Sequence, residues 1–229
     1  MRRCLAAILV VGLVSLTSRD AAAQPSEKDY AAYIALSSTP VGAHTPIMMP
    51  KANAFAFRYS RYAPPEGLEG NNNLAGSYFM KAGANALVGA TLGYVMPGCT
   101  DCEGFVNAGL DVHSTLWSST GGAAVGMSGN FGWANDDGTT AMSAAISVPL
   151  AYSVQQASKS TISFFVAPAF GWGRLSEDDV SESGTRPIIG AGAAWTAAGG
   201  WGLHAAFNKV MIEDGGNNFG VGFSYKLGN

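Results

Sequence analysis

From Asn53 to Leu227 large apolar side chains recur at every second residue, and the positions between them hold mostly glycine, alanine, serine or asparagine. A period of two belongs to the β-strand, whose side chains alternate between two faces. In Asn53 to Tyr62, Phe55, Phe57 and Tyr59 share one face, opposite Ala54, Ala56, Arg58 and Ser60. The pattern returns in Ala86 to Val95, Gly104 to Trp117 and Gly122 to Ala134, then around Ile146, Phe164, Ile189 and Trp201. Its most regular form is the last: Phe219, Val221, Phe223, Tyr225 and Leu227 against Asn218, Gly220, Gly222, Ser224 and Lys226. With a less regular run at Leu74 to Lys81, ten strands are expected and the fold is all-β.

The face opposite the apolar one decides what kind of β-fold this is. A soluble sandwich or lipocalin-like barrel needs charged residues there to meet water. Charged residues make up only 13% of the chain, about half the usual share, and the small-residue face has hardly any lysine or glutamate. A transmembrane barrel inverts the arrangement, with apolar residues toward lipid and small or polar ones toward the lumen. Runs of about ten residues also suit a tilted crossing. The expectation is an antiparallel up-and-down transmembrane β-barrel of ten strands, with eight or twelve as alternatives. The low basic content and net charge of -3 argue against a nucleic-acid partner.

Connections and aromatics give the barrel a polarity. Long gaps (Ala63 to Asn73, Pro97 to Glu103, Asn135 to Thr139, Ser176 to Arg186, Met211 to Asn217) alternate with short ones. Most acids, from Glu66 to Asp214, sit in the long set and none in the short set. Long loops of such barrels face outward, so the acidic loops are expected to be extracellular. Tyr94, Trp133 and Trp172 fall near the outer strand ends, and Phe55, Tyr152, Trp195, Trp201 and Tyr225 near the inner ends, as two interfacial girdles require. Arg2 and Arg3, the apolar run Leu5 to Val14 and Ala21-Ala22-Ala23 read as a cleaved signal peptide over 1–23. Residues 24–52 do not alternate and form a periplasmic or lumen-entering segment, leaving 53–229 as the barrel.

On these residues the chain resembles the small bacterial outer-membrane β-barrel proteins, the group of OmpA-, OmpX- and OmpW-like barrels. The resemblance implies an outer-membrane location, lipid and lipopolysaccharide as surroundings, and the barrel-assembly machinery as a partner during insertion. The chain ends Tyr225-Lys226-Leu227-Gly228-Asn229, where those barrels usually end on an aromatic residue.

Function is expected to be passive: a small pore or a surface-loop platform, not an enzyme. The alternative is an outer-membrane lipid hydrolase or protease. For a pore, the lumen-facing ionisable residues Arg58, Asp111, His113, His204 and Lys226 are the selectivity candidates, with Arg58 and Asp111 about mid-height. For a hydrolase, Ser128, His204 and Asp111 offer the residue types of a triad, without a supporting motif. Cys99 and Cys102, in Cys-Thr-Asp-Cys, are expected to form a loop disulfide in an oxidising compartment. No cofactor or resident metal is expected. Small solutes, or divalent cations at Asn135-Asp136-Asp137-Gly138 and Glu177-Asp178-Asp179, are candidate ligands. Bulges are expected where Pro149 and Pro168 interrupt strands.

Overall fold

The computed structural model describes residues 52–64, 70–99, 102–136, 138–177, 180–211 and 215–227. The leader and nearly all of segment 24–52 lie outside these residues. The strands are β1 (Ala54–Ala63), β2 (Asn71–Lys81), β3 (Ala86–Pro97), β4 (Phe105–Ser118), β5 (Ala123–Asp136), β6 (Thr139–Ser147), β7 (Leu150–Gln155), β8 (Thr161–Glu177), β9 (Val180–Thr196), β10 (Trp201–Val210) and β11 (Asn217–Lys226). Except for β6 and β7, which do not pair with each other, each pairs antiparallel with its sequence neighbours, and β1 pairs with β11, so the sheet closes on itself. The segments β6 and β7 are two halves of one wall position between β5 and β8. The wall is a closed ten-stranded up-and-down barrel, and closure leaves no sheet edge within its circumference.

The strands tilt strongly. Paired residues followed round the wall from Val210, at one end of β10, pass through Ile188, Ala169, Ser147, Ser128, His113 and Leu87 to Lys81, at the opposite end of β2. Such stagger accompanies the tilt of about 35–45° found in membrane barrels.

The facing follows the alternation read from sequence. Phe57 is 60% exposed on the outside while Arg58 beside it is 8% exposed inside. Leu92, Leu110, Val112, Phe131, Ile146, Phe170 and Phe223 continue the outward apolar band. Tyr59, Tyr94 and Trp133 mark its acid-rich end, and Tyr152, Trp201 and Tyr225 the other. In the lower girdle the Trp195 and Trp201 rings meet edge-on at 4.6 Å, and Phe55 packs against Tyr78 at 5.0 Å.

Two sequence expectations are corrected. The long gap Ser176 to Arg186 is mostly strand, because β8 and β9 run on in register until Glu177 pairs with Val180. Likewise Asp136 pairs with Thr139, which tightens the expected Asn135 to Thr139 loop into a hairpin. The second correction concerns the prolines. Register is unchanged on both sides of Pro149 and through Pro168; the register shift lies instead at Thr115/Trp117. What the prolines remove is hydrogen bonds. Gly126 N–H donates to Pro149 O (2.9 Å) and Val148 N–H to Pro168 O (3.0 Å), but neither proline has an N–H to return. The Val148–Pro149 peptide unit therefore lacks its ladder bond on both sides.

Candidate functional site

The small-residue faces of the strands converge on the lumen and bring together most of the charged candidates. Asp111, 4% exposed, stands on the inner face of β4. Its two oxygens are both engaged, one accepting from Thr91 Oγ1 of β3 at 3.0 Å and the other from Asn130 Nδ2 of β5 at 2.6 Å. Thr91 in turn meets Ser77 Oγ of β2 at 2.7 Å. Four consecutive strands thus join through side chains above their backbone ladder. Arg58 of β1 projects into the same space, close enough for the carboxylate to act on it electrostatically. A buried charge needs this kind of counter-charge and donor set, since desolvation without it is severe.

Glycine makes room for the rest. Gly222 of β11 pairs with Arg58 on one side and His204 of β10 on the other. A Cβ on Gly222 would strike the His204 ring, so the missing side chain lets His204 lie across β11 toward Arg58. Gly89 plays the same part for Phe79, whose ring covers it and lies 5.7 Å from that of His113. His113 is 2% exposed, and neither ring nitrogen has a hydrogen-bond partner among the described residues. Across the lumen Phe165 packs with Ala151, Ala167 and Ala206. The lumen thus holds a polar cluster centred on Asp111 of β4 and a separate apolar cluster on β7, β8 and β10.

Not every candidate joins this cluster. Lys226 is half-buried at the foot of β11, packed beside Gly200 of the β9–β10 turn, so it belongs to the mouth. The Ser128, His204 and Asp111 combination is not assembled: Ser128 Oγ pairs with Ser147 Oγ at 2.8 Å, and Asp111 is occupied by Thr91 and Asn130. In the wall, β5 and β10 are separated by β6, β8 and β9 on the shorter path. Cys99 and Cys102 are joined as a disulfide with Cα atoms 5.4 Å apart. Among the described residues no group of three His, Cys, Asp or Glu side chains is placed to hold a metal ion. Asp137, Asp178 and Asp179 of the two acidic cation candidates lie outside those residues. Sequence reasoning missed Ser77, Thr91, Asn130 and Phe79 as partners, although strand parity puts all four on the lumen face.

No protein-family model and no curated protein sequence matches the chain. Solved structures do. The β domain of the Bordetella autotransporter BrkA superposes with a TM-score of 0.52 at 10% identity, covering 77% of this chain and 99% of that one. Ail, the attachment invasion locus protein of Yersinia pestis, gives 0.36 at 9% identity over 77% and 97%. The N-terminal β-barrel domain of Pseudomonas aeruginosa OprF gives 0.36 at 13% identity over 77% and 98%. The closed wall, its outward apolar band and the likeness to the BrkA domain place this chain in the fold class of the small bacterial outer-membrane β-barrels.

Proposed function

We propose that the chain is a closed, non-enzymatic barrel of the bacterial outer membrane, displaying its acid-rich rim at the cell surface as a binding or structural platform. One observation carries the preference over a pore. The ionisable groups at the middle of the lumen, Arg58, Asp111 and His113, are each less than a tenth exposed, and Asp111 is bonded to both flanking strands. A conducting constriction presents its charges to water; these are packed against neighbours. The hairpin of β8 and β9, seventeen residues in each strand, supports the platform by carrying the sheet past the end of β10, whose last paired residue Val210 meets Ile188. A hydrolase needs a nucleophile within reach of a base, and the bonding of Ser128 to Ser147 gives no support to that alternative.

Planar-bilayer recording of the reconstituted chain tests the reading. The expected result is a silent membrane for the wild type. Steady single-channel conductance from the wild type overturns the closed-barrel assignment and makes Arg58 and Asp111 its selectivity residues.

A further inference from the structure

The outer wall is not uniformly convex. An open groove of about 650 Å³ crosses it at β10, β11, β1 and β2, lined on the lipid side by Phe57, Tyr59, Leu74, Leu203, Val221 and Phe223. Its size is that of a ligand cleft. Gly76 supplies part of the floor, because a missing side chain between Leu74 and Tyr78 leaves the neighbouring residues standing as walls.

Two cations stand above this groove. Arg61 is exposed and lies two residues beyond Tyr59 on the same outward face of β1. It pairs with Phe219 of β11, which pairs in turn with Phe207 of β10. Lys209, exposed and two residues beyond Phe207, is the second. The two therefore flank β11 just past the apolar band, at the level of the outer aromatic girdle. Neither has an acidic partner among the described residues. A further outward basic residue toward this rim, Arg174 of β8, is already engaged, its Nε donating to Ser181 Oγ at 2.8 Å.

We infer that this face is a binding site for a phosphorylated acyl lipid, with phosphate between Arg61 and Lys209 and an acyl chain in the groove. The inference rests on the membrane-barrel reading with this rim outward, where the matching outer-leaflet lipid is bisphosphorylated lipid A. Any bilayer lipid can fill an apolar groove; the charges decide which one stays. Guanidinium and ammonium donors make charge-assisted bonds to phosphate, and dispersion contacts with the aromatic walls fix the chain in place.

The test uses the full chain in nanodiscs of zwitterionic phosphatidylcholine, with binding of bisphosphorylated and dephosphorylated lipid A followed by native mass spectrometry. The expected result is one bisphosphorylated lipid per chain, bound about ten-fold more tightly than its dephosphorylated form. Arg61→Gln with Lys209→Gln abolishes that preference, while Arg174→Gln leaves it intact. Gly76→Leu weakens both lipids by filling the floor, and the fold has room for it, since a Cβ there meets only the Phe57 ring at 3.5 Å. Equal binding of the two lipids, or an unchanged preference in the double variant, overturns the site while leaving an inserted barrel intact. Failure of the chain to insert at all overturns the membrane reading and the site with it.

Discussion

Replacing Asp111 by alanine removes the acceptor of Thr91 and Asn130 and the counter-charge facing Arg58 in one step. Hydrogen bonds to a charged group contribute about 1.5–3 kcal/mol each, and Asp111 accepts two of them, from Thr91 and Asn130. Asp111→Ala is therefore expected to destabilise the barrel by about 3–5 kcal/mol. Asp111→Asn keeps one acceptor but turns an amide toward the Asn130 donor, so its expected cost is about 1.5–3 kcal/mol. Once Asp111 is gone, the buried Arg58 lacks the carboxylate that acts on it, and its own removal should then cost less than it does in the wild type. The double variant Arg58→Ala/Asp111→Ala should thus be more stable than the sum of the single losses predicts, by up to about 3 kcal/mol. The assay is reversible urea unfolding from phospholipid vesicles, followed by tryptophan fluorescence. Single losses that add within about 0.5 kcal/mol, or an Asp111→Ala cost below about 1 kcal/mol, would refute the coupled lumen network.

Three further outcomes are expected. Val112→Arg, central in β4 and 51% exposed on the outer face, should cost about 2–4 kcal/mol of insertion free energy, against about 0–1 for Phe164→Arg, only three residues from the foot of β8; equal costs in vesicle refolding would argue against the depth assignment. Pro168→Ala restores an N–H opposite Val148 O and should stabilise by about 1 kcal/mol, read as a raised urea midpoint, with no gain counting against the missing-bond account. Cys99 and Cys102 should resist a membrane-impermeant thiol reagent on intact cells until a reductant is added; labelling beforehand contradicts the disulfide.

Alternation carried most of the wall, because a two-residue period with unlike faces assigns every side chain once the lipid side is known. Phe57 out and Arg58 in followed directly from their neighbours. Strand ends were less legible. Ser181, Glu182 and Ser183 have the composition of a loop, yet they are strand because β8 offers them an antiparallel partner. Proline misled in another way: the chain tolerates the missing donor in place, since inserting a residue would have turned the faces of Ile146 and Tyr152 against each other. At the centre, parity put Arg58 and Asp111 in the lumen but could not give their contacts. Which side chains meet there depends on stagger between strands, and stagger is a property of pairs that no single strand encodes.

The unbonded Val148–Pro149 unit has a mechanical meaning for the ring as a whole. A closed barrel resists lateral pressure from the bilayer as a hoop does, each staple between staves sharing the load. Here two staples are absent at one height, on opposite sides of the same stave, with Gly126 on one flank and Pro168 on the other. Bending is easiest where cross-linking is sparsest, so the hoop has a built-in crease. When membrane thickness or tension changes, the cross-section should become oval by yielding along this line. The crease lies away from β1–β4, so the side chains tying Asp111 to Thr91 and Ser77 are spared much of the deformation.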